Sequence, residues 1–246
     1  MILNLTDAIR PDSDVLVAIS GIVSPECQAE IASSTNGKIY SDNFAEYFDN
    51  IDCLRGASTS FEDFEGTLDE QFCNAFTAVK GYHATRIVDE QGFRENGIVK
   101  LDDALLAQIS AAFFGDRISA GDISGSLEQI EIPEYDQGVF LFWHKESATT
   151  RGYDHYLKAG PEVFGNHNFE TASTKSTGRP CIIHCDVPIE IITPSMRKCI
   201  WYYLIVSSIE FSIETFSLHT NLGMTFSTSE NVPSGAIKQF EYVNLD

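Results

Sequence analysis

The residues best placed to do chemistry cluster in "GYHATRIV", Gly81 to Val88, where a polar Tyr-His-Ala-Thr-Arg run interrupts an otherwise apolar stretch. On a strand, Tyr82, Ala84 and Arg86 share one face, and His83, Thr85 and Ile87 the other. A histidine and a threonine on one face can hold a ribose or an amide through directed hydrogen bonds. The competing reading is a histidine satisfied inside the core. "CIIHC" brings Cys181, His184 and Cys185 together, and thiolate and imidazole suit zinc. On a strand, however, His184 points away from both thiols, so no metal is expected and buried structural thiols are. No cysteine sits in a glycine-rich turn that would mark a nucleophile. Glu210 and Glu214, four apart, read as a solvated helical stripe. The phosphate-cradling patterns GxxxxGK[ST] and GxGxxG are absent, which removes the simplest NTPase and Rossmann readings.

These groups need a scaffold. The 246 residues allow one large domain or two small ones. The formal charge is −20, and residues 1–80 hold 14 acidic and 4 basic side chains, half of the excess in a third of the chain. Such acidity argues against general affinity for a phosphate backbone, although the stretch from Lys145 to Lys198 is nearly neutral. Six cysteines without a CxxC pair, and an acidic N-terminus unlike a secretory signal, point to reduced thiols and a cytoplasmic protein. "CIWYYLIVSSIEF" is interrupted by Ser and Glu, so no membrane segment is expected.

"SPECQAEIAS" predicts a helix capped by Ser24 with Pro25 in its first turn. "TSFEDFEGTLDEQFCNAFTAV" predicts helix in its second half. The texture changes at Val79: "AVKGYHATRIV" reads as a strand, followed by a short helix and a tight return at Gly97. "LDDALLAQISAAFFG" is amphipathic and helical, "GVFLFWHKES" and "GRPCIIHCDVPIEII" are strands, and "PSMRKCIWYYLIVSSIEFSIETF" is one long helix or a helix leading into a strand. The end reads as two strands joined by a Pro-Ser-Gly turn. The expectation is an α+β chain, with an acidic, mostly helical segment over 1–78 and a strand-rich domain over 79–246.

"YHATRIVDEQGFRENGI" resembles the first motif of the ADP-ribosyltransferase superfamily, especially toxin and phage-defence enzymes of the DarT type. "GYDHYLKAGPEVFGN", "GRPCIIHCDVPIEII" and "NVPSGAIKQFEYV" resemble, in order, a "YxxYGPE" segment, the strand after it and a closing hairpin. The likeness covers about residues 79–243. It implies a split β-sheet core with inserted helices and a transfer of ADP-ribose from NAD to a nucleic acid or protein. His83 would then bond the NAD ribose with Thr85 beside it, and Tyr82, Arg86, Tyr156 and Gly160 would line the same site. The family needs a glutamate near the departing ribose, and Glu162 in "GPE" is the first candidate, with Glu230 and Glu241 behind it. The acidic segment over 1–78 would face a basic partner or an antitoxin. The alternatives are an inert NAD- or partner-binding module of the same fold, and an unrelated immune or toxin-neutralising protein whose acidic surface engages a basic partner.

Overall fold

The computed structural model describes residues 1–5, 24–34, 38–40, 60–100, 138–150, 154–159, 178–212, 217–219 and 225–245. In chain order its elements are β1 (Ile2–Leu3), α1 (Pro25–Ser34), β2 (Lys38–Tyr40), α2 (Phe61–Ala75), β3 (Ala78–Ile87), α3 (Gln91–Asn96) and β4 (Phe140–Phe142). Then follow α4 (His155–Ala159), β5 (Arg179–Pro188), α5 (Pro194–Ser212), β6 (Ser217–His219), β7 (Thr225–Ser227) and β8 (Ile237–Tyr242). The chain is mixed α+β, as its patterning indicates. The helix expected over "LDDALLAQISAAFFG" lies outside the described residues.

Two compact units form: Met1–Ala78 with Ile192–Gly223, and Val79–Ile191 with Met224–Asp246. The first break falls where the sequence changes texture. The segment from Ile192, expected in the second domain, joins the first unit instead. The reason is aromatic packing: Trp201 of α5 meets Phe72 and Phe76 edge-on at centroid distances of 5.6 and 6.3 Å.

In the first unit, Ser24 Oγ accepts from Cys27 N at 3.2 Å, which caps α1 as its sequence predicts. Ser60 does the same for α2, accepting from Asp63 N at 3.1 Å, so this helix starts earlier than expected. Phe64, Leu68 and Phe72, four apart, form its buried stripe. Pro194–Ser212 of the long apolar run form a single helix, α5. Arg197 there forks onto both oxygens of Asp69 at 2.7 and 2.8 Å, and Glu65 accepts from Lys198 Nζ at 2.7 Å and from Tyr202 Oη at 2.6 Å. β2 and β6 pair in parallel.

Among the described residues, Cys27 departs from the expectation of reduced thiols. Cys73, Cys181, Cys185 and Cys199 form no disulfide, but Cys27 is disulfide-bonded. Cys53 lies outside the described residues.

In the second unit the strands run in the order β7-β4-β3-β5-β8. β3 pairs β4 antiparallel with Tyr82 opposite Phe142, β4 pairs β7, and β5 pairs β8 with Ile182 opposite Glu241 and His184 opposite Gln239. The two terminal strands therefore lie at opposite edges of this path. The closing hairpin implied by the resemblance does not form between them; the Pro-Ser-Gly connection carries the chain across. That crossing is pinned where Ile98 and Val232 exchange backbone hydrogen bonds, both 2.9 Å. Gly97 makes this approach feasible: its φ is 79°, and a Cβ there would sit 2.0 Å from the Val232 carbonyl oxygen. Behind β3, Trp143 stacks on Phe226 with centroids 4.0 Å apart.

Candidate functional site

β3 carries the motif that opened the sequence analysis, and its period of two divides the candidates. Tyr82 and Ala84 are buried in one apolar cluster with Phe142, Ala148, Leu157 and Ile182. Tyr156 of α4 packs on that cluster and meets Phe142 edge-on at 5.8 Å. Arg86, two residues past Ala84, reaches over the same side. Its Nη1 donates to the Leu157 carbonyl at 3.1 Å and its Nη2 to the Gly178 carbonyl at 2.6 Å. Tyr82, Arg86 and Tyr156 are thus brought together.

His83 and Thr85 fall on the reverse face. His83 Nδ1 lies 2.9 Å from the Phe140 carbonyl oxygen, which can only accept, so Nδ1 carries the proton. Burial holds the ring's pKa below the ordinary histidine value, and the carbonyl only partly opposes this. Thr85 is buried. The sheet separates this pair from Tyr82 and Arg86, so the two pairs do not share one surface. Gly160 and Glu162 lie outside the described residues.

A second polar group assembles on the Tyr82 face. His184 Nε2 lies 2.8 Å from Glu241 Oε2, and Lys145 Nζ lies 3.1 and 3.4 Å from the two oxygens of the same carboxylate. The Tyr82 ring stands edge-on to the His184 ring at 5.1 Å. The side chains of His184, Glu241 and Lys145 are 18%, 33% and 39% exposed, so solvent reaches the group. Burial pushes the Glu241 carboxyl up, but the hydrogen bonds and charges of Lys145 and His184 outweigh it and hold the pKa below the usual range. Glu241 is therefore an ionised acceptor, and His184 Nε2 is the donor to it.

From the sequence, Glu241 is a candidate behind Glu162, His184 is weighed only as a zinc ligand, and Lys145 carries no signal. Period-two alternation does put Ile182 with His184 and Gln239 with Glu241. Nothing in spacing joins residues 184 and 241; only the β5–β8 register makes them diagonal neighbours.

The thiols of "CIIHC" point away from His184, as strand alternation requires. Cys181 and Cys185 are fully buried, and burial pushes their pKa values up to about 11 and about 12. Such thiols stay protonated at neutral pH and are poor nucleophiles. Among the described residues no three histidine, cysteine or carboxylate side chains gather to hold a metal ion. No described helix is long and apolar enough to cross a membrane. Comparison with family models, with curated proteins and with solved structures finds no match.

Proposed function

We propose that the second unit transfers ADP-ribose from NAD to a macromolecule, with Glu241 as the carboxylate that serves the departing ribose. The observation that carries this reading is an ionised glutamate bonded to His184, whose ring meets Tyr82, so that Glu241 stands on the Tyr82 and Arg86 face of the sheet. As the C1′–N bond breaks, its electron pair stays on the nicotinamide nitrogen and cancels the pyridinium charge. Positive charge then develops on the ribose ring. A carboxylate held in place stabilises it more in the transition state than in the ground state. The acceptor's lone pair forms the new bond to C1′, and the acceptor loses a proton. Lys145, half-exposed beside Glu241, supplies a cation suited to the diphosphate. The four motifs that resemble the ADP-ribosyltransferase superfamily supply the substrate. The test is nicotinamide release from NAD by the purified chain, with Glu241→Gln and Glu162→Gln compared. A wild type that releases nicotinamide, and loses the activity only in Glu162→Gln, moves the carboxylate role from Glu241 to Glu162.

One observation favours a second reading, an inert partner-binding module of the same fold. His83 and Arg86, both expected to hold NAD, spend hydrogen bonds on backbone carbonyls. No NAD binding by calorimetry, together with no nicotinamide released, would select it.

A further inference from the structure

Resting on the reading above, we propose that His184 is the base that takes the acceptor's proton, which makes the acceptor a hydroxyl or an amine. Three features carry this. First, Glu241 accepts from Nε2 at 2.8 Å, so Nδ1 is the ring nitrogen whose lone pair can take a proton. Second, the groups facing the ring are suited to the task. Glu241 on β8 stabilises the imidazolium that forms, Tyr82 on β3 presents a ring at 5.1 Å, and Lys145 shares the carboxylate at 3.1 Å from Oε1 and 3.4 Å from Oε2. Third, the ring keeps 18% of its side-chain surface exposed, so an acceptor can approach it and the proton can leave to solvent.

The step balances. The acceptor O–H or N–H bond breaks as its lone pair bonds to ribose C1′, the proton passes to Nδ1, and nicotinamide departs with the electron pair of the old C1′–N bond. An acceptor carboxylate, already deprotonated, would need no such base. Glu241 thus serves twice: its charge faces the ribose cation, and its oxygen orients the imidazole.

The experiment uses the full chain with NAD and water as acceptor, reading nicotinamide release. His184→Ala should keep the KM for NAD and lose about 10²–10⁴-fold in kcat, and added imidazole should restore part of the loss. Rescue is the readout that a merely structural histidine would not give. His184→Gln serves as a second variant if the alanine protein does not fold by circular dichroism. A kcat equal to wild type, or a loss confined to KM without imidazole rescue, overturns the base while leaving the NAD reading intact. A wild type that releases no nicotinamide overturns the NAD reading, and the base falls with it.

Discussion

His83 Nδ1 donates to the Phe140 carbonyl at 2.9 Å, tying β3 to β4 through a side chain across the first residue of β4. The histidine in the middle of "YHATR" thus braces two strands. Because burial lowers its folded pKa below the ordinary 6.5, the unfolded chain binds the proton more readily. The stability this ring confers is therefore complete above about 6.5 and is lost as pH falls towards the folded value. His83→Gln should flatten that part of the profile. The measurement is the difference in Tm between wild type and variant from pH 7.5 down to pH 5, about the histidine range; parallel curves would refute the assignment.

Arg86 should behave as a fork rather than a charge. Its two terminal nitrogens reach the carbonyls of Leu157 and Gly178, which are 21 residues apart in the chain. Arg86→Lys keeps the cation but cannot span both acceptors. A loss of about 1.5–3 kcal/mol in urea unfolding is expected for a charged hydrogen-bond donor of this kind. Full stability in the lysine variant would show that charge alone suffices.

Gly81 is constrained by space. A Cβ there would lie 2.7 Å from Phe226 Cζ and 2.9 Å from Leu141 Cδ2. Gly81→Ala should cost about 1–3 kcal/mol by overpacking. Adding Phe226→Leu should recover part of it, and additive losses in the double variant would rule out this contact as the cause.

In the first unit, Tyr202→Phe removes the 2.6 Å hydrogen bond to Glu65 while Lys198 remains on the same carboxylate. The tyrosine pKa is raised by burial and then by Glu65, so the phenol stays protonated and donates across the neutral range. The expected loss is about 1.5–3 kcal/mol. Glu65→Gln with Tyr202→Phe should cost less than the sum of the single changes; strict additivity would show that the two side chains act independently.

Local order was legible in the sequence because its causes are local. Ser24 and Pro25 start a helix through backbone groups within one turn. The alternation in "YHATR" and "CIIHC" settles which side chains share a face, and it already separated His83 from Tyr82 and His184 from the two thiols. Gly97 announced its turn because few residues tolerate a positive φ. Tertiary structure decided everything that depends on which strands meet. The β5–β8 register, not any spacing, sets His184 beside Glu241 and lets Lys145 join them. The strand order sends β7 and β8 to opposite edges although a short turn joins them in sequence. Trp201 draws α5 to Phe72 and Phe76, more than a hundred residues earlier. Each of these follows from burying apolar surface between distant segments, an energy that depends on area and fit and leaves no periodic trace in the chain.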